Sequence, residues 1–198
     1  VLNMADGCLL VVDAIDGPMP QTRYVLKTAL ENRLKPVVII NKIDRDNSNI
    51  TNVIDDIQDL FLELALDADQ LDFPIIYASA KDGYSVENLS DSPKDMSPLF
   101  ETILDAIPPP GNEYTGPFQM LVAALDYDNH LGQIAIGRVF RGQVNKGDMI
   151  SVIDYRNEIK SYRAEHLFSF RDLARNDVDQ VLAGDIGAIS GLSDGRIG

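Results

Sequence analysis

The sequence predicts two folds in series: an α/β domain, a parallel sheet with covering helices, followed by an all-β domain of barrel type. Three observations predict it. As far as Ile107, buried apolar runs alternate with helical patterns. The run Pro108, Pro109, Pro110, followed by Gly111, then interrupts the chain. Beyond it, short apolar segments recur every ten residues or so (about 8–12 is the usual spacing) between glycine-bearing turns.

Each element follows from its local pattern. Gly7 to Asp13 reads as a continuous buried strand. After the turn Asp16, Gly17, Pro18, the residues Val25, Leu26, Ala29 and Leu30 recur at helical spacing. Pro36 opens a second strand, Val37 to Ile40, which ends at Asn41. Val53, Ile54, Ile57, Leu60, Phe61 and Leu64 mark one face of a second helix, and Ile75 to Ala78 reads as a third strand. Leu99, Phe100, Ile103 and Ile107 give a last helix, which the prolines stop. The proline run is a semi-rigid spacer, so the expected domains are residues 1–110 and 111–198. In the second, Phe118 to Leu125, Ile134 to Phe140, Met149 to Ile153 and Ile186 to Ile189 are the clearest strands, punctuated by Gly132, Gly142, Gly147 with Asp148, and Gly184. Short strands with glycine turns and no long helical pattern predict a closed barrel or sandwich.

A chain of 198 residues is long enough for two modest domains, each with its own core. Its formal net charge of −14 is unevenly spread: up to Tyr114 there are 8 Lys and Arg against 20 Asp and Glu, and from Thr115 onward 9 against 11. The acidity therefore belongs to the first domain. The second carries Arg138, Arg141, Lys146, Arg156, Lys160, Arg163, Arg171 and Arg175, so an RNA-facing surface there competes evenly with a solvated mixed-charge face. No apolar run approaches the ~20 residues of a membrane span, and no charged-then-apolar leader opens the chain, so a membrane role is not expected. The single Cys8 lies in an apolar run and is expected to be an inert core thiol; with no pair to oxidise, a cytoplasmic location is expected.

Two loops carry the chemistry, both directly beyond the carboxyl end of a strand, where open α/β sheets bind ligands. The first is Asn41, Lys42, Ile43, Asp44; the second is Ser79, Ala80, Lys81. Guanine presents an N1 hydrogen beside an N2 amino group, with a carbonyl at O6. A carboxylate set edge-on, Asp44, accepts from both donors, and such charge-assisted bonds contribute roughly 1.5–3 kcal/mol each. Adenine would leave that carboxylate unpaired. Asn41 both donates and accepts, so its amide suits the other base edge and the neighbouring loop together. Lys42 is expected to lay its aliphatic stem over the ring with its ammonium in water, and Ile43 to face the core. The Ala80 N–H is suited to donate to O6. An ordinary strand-end turn is the bland alternative for Asn41 to Asp44; the strand context and the companion loop argue against it.

The sequence holds no G-x-x-x-x-G-K-[ST] phosphate loop, and no Asp-x-x-Gly precedes the first strand, so neither Mg²⁺ nor an attacking water is expected to be positioned by these residues. No catalytic residue and no metal ligand is therefore expected. His130 and His166 fall in the second domain and read as surface or structural. The acidic pairs Asp55 with Asp56 and Asp67 with Asp69 read as solvated helix-end charges.

The stretch Asp13 to Arg23, then Asn41 to Arg45, then Leu71 to Pro74 and Tyr77 to Gly83 resembles the TypA/BipA family of translational GTPases, and the resemblance runs over essentially the whole chain. Met19 to Arg23 and Leu71 to Pro74 are more similar to that branch than to elongation factor G, LepA or the ribosomal protection proteins, while Gly132 to Gly147 and Ala183 to Leu192 resemble the second domain common to all of them. The resemblance implies the guanine-recognising half of a P-loop-type GTPase domain followed by a translation-factor-like β-barrel. It implies a cytoplasmic, ribosome-binding parent that contacts rRNA and ribosomal proteins and acts in large-subunit assembly and stress adaptation. It implies GTP or GDP as ligand, held at the base by Asn41, Lys42, Asp44, Ser79, Ala80 and Lys81, with Mg²⁺ ligands and a catalytic His upstream of Val1. The sequence departs from the family at Asp46 and Asn47, where a Pro-Gly-type turn is usual, and at Ser169 and Asp172, where glycine is usual.

From this the chain is expected to be an excised piece that does not hydrolyse GTP alone and that stops before the last strands of its barrel. Its first strand is expected to be an open edge through which Cys8 to Val12 drive self-association. Two other readings compete: a LepA-like or ribosomal-protection-type factor, and a nucleotide-independent module whose barrel binds ribosomal RNA, with binding that weakens steeply as salt rises.

Overall fold

β1 spans Gly7–Asp13, and the register of its parallel partner β2, Lys35–Asn41, sets Asp13 beside Asn41. The helix between them, α1, spans Pro20–Glu31. Pro20 suits its first turn, where a missing N–H costs nothing, and the Thr22 hydroxyl accepts from the Met19 N–H at 3.2 Å. α2, Ile50–Leu64, starts where the Asn49 side chain accepts from the Asn52 N–H. β3, Ile75–Ser79, lies parallel to β2, and β4, Tyr84–Val86, closes the sheet antiparallel to β3, giving the order β1-β2-β3-β4. α3 spans Ser97–Ala106. The computed structural model describes residues 2–111, 113–154, 156–171, 174–192 and 195–197.

The sheet is covered on both faces, but unequally. Leu10, Val12, Val38 and Ile40 point to one face and pack with Leu26 and Leu30 of α1 and Val53, Ile57 and Phe61 of α2; Phe73 stacks on Phe61 with ring centroids 3.8 Å apart. On the other face α3 sets Leu99 and Ile103 against Ile39, Ile76 and Ala78. β2 is accordingly buried from Pro36 to Ile40. β1 corrects the expectation of a continuous buried run. It is the edge strand, α3 packs on β2 and β3, and so Leu9 and Val11 stay 46% and 56% exposed while Leu10 and Val12 are buried. Cys8 is half-buried, and burial pushes its thiol pKa up, which disfavours the reactive thiolate. Val25 and Phe100, expected on core faces, are exposed, and Asp55 and Asp56 lie inside α2 on its solvent side rather than at a helix end.

The chain divides into two compact units, residues 4–109 with Leu2, and the residues from Pro110 on. Among its described residues the second unit has nine strands: β5 Gln119–Asp128, β6 Gly132–Arg141, β7 Gln143–Asn145, β8 Met149–Ile153, β9 Ile159–Arg163, β10 Leu167–Arg171, β11 Ala174–Val178, β12 Gln180–Leu182 and β13 Ile186–Ser190. They form a five-stranded antiparallel sheet, β11-β10-β13-β6-β5, and the two-stranded ribbons β12-β7 and β8-β9. Val139, Val144, Ile150, Leu167, Val181 and Ile189 bring sheet and ribbons onto one core. β5 bulges between Val122 and Ala124, opposite Gly137, whose place a Cβ would fill at 2.0 Å from the Leu121 carbonyl oxygen. Ser169 lies within β10, not in a turn; Asp172 lies outside the described residues. No helix among the described residues is long and apolar enough to cross a membrane.

Candidate functional site at the strand tips

Parallel pairing brings the carboxyl ends of three strands level: Asp13 sits opposite Asn41, and Asn41 opposite Ala78. The ladder runs one residue further on each side, with the Ala14 N–H donating to the Asn41 carbonyl at 2.8 Å and the Ile43 N–H to the Ala78 carbonyl at 3.3 Å. Between these anchors Lys42 takes a left-handed backbone, φ 69°, a conformation that costs a non-glycine residue about 1–2 kcal/mol. The kink turns the chain off β2 and delivers Ile43 to the core, as its sequence position predicts. Asp46 and Asn47 then occupy the middle of a turn closed by the Ser48 N–H on the Arg45 carbonyl at 3.1 Å, without positive φ, so no glycine is required there.

The two predicted loops meet. The Asn41 Oδ1 accepts from the Ala80 N–H at 3.0 Å, across 39 residues of sequence. Ser79 is fully buried, its hydroxyl donating to the Asp82 carboxylate at 2.8 Å and accepting from the Asp82 N–H at 3.3 Å, while its carbonyl takes the Gly83 N–H at 2.9 Å. Ser79 therefore shapes the second loop from beneath. Asp44 and Lys81 are exposed, and neither side chain has a hydrogen bond or ion pair among the described residues. A carboxylate left free beside a pair of stitched loops is the donor-seeking group that a guanine edge requires.

The Ala80 N–H, which the sequence suits to the O6 of a base, also donates to Asn41, so a base that used it would share or displace that bond. One expectation needs correcting. The Lys42 ammonium is not free in water: it pairs with the Asp13 carboxylate. Asp13 is thus a member of the site that its own local sequence does not announce. Its signal lies in the topology, because neighbouring parallel strands joined by one crossover helix end at the same tip, which puts the last residue of β1 beside the last residue of β2. The bond from Lys42, reinforced by the Ile15 N–H at 2.9 Å, holds the Asp13 carboxyl below the usual carboxylate range against the opposing effect of burial.

The remaining candidates are structural or peripheral. Asp67 caps a short turn, accepting from the Gln70 N–H at 3.3 Å, and faces Arg33 at 3.5 Å. His130 is exposed in the β5–β6 turn, and His166 lies 3.6 Å from Asp177 in the barrel. Among the described residues no group of three or more His, Cys, Asp and Glu side chains is placed to hold a metal ion.

The family model described as elongation factor Tu GTP binding domain matches residues 1–109, and that described as elongation factor G domain 2 matches residues 117–198. The chain is 44% identical over its whole length to a large ribosomal subunit assembly factor BipA from Synechocystis sp., of which it covers 33%, and 44% identical to that of Bacillus subtilis, of which it covers 32%. Over 98% of its length it is 43% identical to the BipA of Escherichia coli. The chain thus spans about a third of the length of these relatives. The crystal structure of translation elongation factor SelB from Methanococcus maripaludis, at 22% identity, shares the fold over 96% of this chain and 37% of its own, with a TM-score of 0.69. With more than half of its residues matched by that first model, the chain belongs to the elongation factor Tu GTP-binding-domain family.

Proposed function

We propose that the loops after β2 and β3 read the guanine base of GTP or GDP. In this reading Asp44 accepts from N1–H and the N2 amino group, Asn41 braces both loops and meets the opposite base edge, Lys42 covers a ring face, and Ala80 and Lys81 close the O6 side. The observation that carries it is the Asn41–Ala80 bond, which joins the two loops beside a carboxylate that has no partner among the described residues. Bound nucleotide supplies the phosphates and, in the parent, Mg²⁺; the residues here bind and select the base and take no part in phosphate chemistry. Titration of the full-length protein with GDP, IDP and ADP tests this. Inosine lacks the N2 donor and forfeits one charge-assisted bond, so IDP is expected to bind about 10- to 100-fold more weakly than GDP, and ADP more weakly still. Equal affinity for GDP and IDP would contradict it.

The chain is, on this proposal, part of a cytoplasmic, ribosome-binding translational GTPase that acts in large-subunit assembly; the relatives it matches are named large ribosomal subunit assembly factors. The barrel makes the ribosome contact. A nucleotide-independent RNA module is less well supported, because several barrel cations are spent inside the unit: Arg175 on Asp126 and Asp128, Lys146 on Asp177, and the Arg163 Nε on the Gly147 carbonyl at 3.2 Å. Self-association through the exposed edge of β1 belongs to the same proposal, supported by the exposure of Leu9 and Val11. Light scattering of residues 1–198 at high concentration is expected to show dimers or larger species; a strictly monomeric profile would refute that part.

A further inference from the structure

In the proposed base site Lys42 covers the ring only if its long side chain is aimed. A lysine at the tip of a strand has four side-chain torsions to freeze before its stem can lie along a ligand, and ordering it in advance raises affinity without adding any ligand contact. Asp13 is built for that task. Its backbone is fixed by pairing with Asn41, one carboxylate oxygen takes the Ile15 N–H at 2.9 Å, and the other takes the Lys42 ammonium. The anchor is also the better buried partner, 16% exposed against 43% for Lys42, so the lysine is tied to the carboxylate and not the reverse. The left-handed backbone of Lys42 is a second and independent restraint on the same side chain.

We infer that Asp13 is a positioning residue of the base site, acting through the Lys42 ammonium to hold the lysine stem in one direction before nucleotide arrives. This rests on the guanine reading of the strand-tip loops. Asp13 touches no ligand in this account; its effect on binding passes entirely through Lys42.

The test is a double-mutant cycle on GDP affinity in the full-length protein. Asp13→Asn keeps an oxygen for the Ile15 N–H but removes the charge, and Lys42→Met keeps an apolar stem but removes the ammonium. Each single variant is expected to weaken GDP binding about 3- to 10-fold, the double variant no more than either single one. Additive losses, or no loss in Asp13→Asn, would overturn the inference, since a merely structural aspartate would act equally in both backgrounds. Should Asp13→Asn fold poorly, Lys42→Met alone decides: the more exposed side chain is safe to change, and unaltered GDP affinity would refute the inference. ADP measured alongside separates the two failures, because additive losses with guanine preference intact defeat only the role of Asp13, whereas wild-type protein that binds ADP as well as GDP defeats the base reading itself.

Discussion

The strand tips of the α/β unit and the hairpin tip of the barrel both concentrate aspartates, and the two clusters are resolved in opposite ways. At the β5–β6 tip every charge is answered from within. Asp126 and Asp128 face Arg175 at 3.3 and 3.4 Å, the Asp128 Oδ1 takes the His130 and Leu131 N–H groups, and the Arg175 guanidinium lies over the Phe168 ring, 4.7 Å from its centroid. At the tips of β1 and β2 one carboxylate, Asp13, is answered by Lys42, and the next, Asp44, has no partner among the described residues. An engaged carboxylate holds a turn; a carboxylate presented on a braced loop without a partner is available to something outside the chain.

If that distinction is sound, truncating the two kinds of residue has separable consequences. The largest is expected from Asp44→Ala in the full-length protein: guanine preference over adenine falls by about 100-fold or more, while stability by urea denaturation shifts by no more than about 0.5 kcal/mol. A large stability loss with unchanged preference would merge the two classes. Gly137→Ala is expected to destabilise the barrel by about 3 kcal/mol, because the added Cβ would sit 2.0 Å from the Leu121 carbonyl oxygen at the bulge, with GDP affinity unchanged. Smaller again, Arg175→Ala is expected to cost the barrel about 1 kcal/mol from the lost ring contact, again without an effect on nucleotide.

How much of this was readable beforehand divides the same way. In the α/β unit the three parallel strands and all three helices follow from apolar period and breakers, and the chemistry of a base edge singles out Asn41, Asp44 and Ala80, whose two loops the Asn41–Ala80 bond joins. In the barrel β5, β6, β8 and β13 are legible from their apolar runs. The polar β9, Ile159–Arg163, and β11, Ala174–Val178, were missed because a half-exposed strand in a small barrel carries its identity in its pairing partner, not in its own composition. Asp13 was missed for a related reason. Its value depends on a neighbour 29 residues away that only the sheet order brings to it.

The smallest expected effect is pH-dependent. Asp13 is held below its ordinary pKa chiefly by Lys42, and Asp128 chiefly by the His130 and Leu131 N–H groups. Both carboxyls have folded values under the unfolded one of about 3.9, so their contribution is complete above that pH and is lost as pH falls through the lower folded values. Urea denaturation between about pH 6 and pH 3 should show stability falling at the acid end. Asp13→Asn should flatten that fall, and an unchanged profile in the variant would show that the Lys42 pair does not distinguish the folded state.

The proposed base recognition turns on the edge-on carboxylate of Asp44, and exchanging its chemistry without its shape is the most direct test. Asp44→Asn in the full-length protein replaces an acceptor with a donor, matching xanthine, which carries a carbonyl where guanine carries its amino group. Competition between GDP and XDP is predicted to reverse, with XDP favoured by the variant and GDP by the parent sequence. A variant that still prefers GDP would contradict the assignment of Asp44 as the group that reads the base.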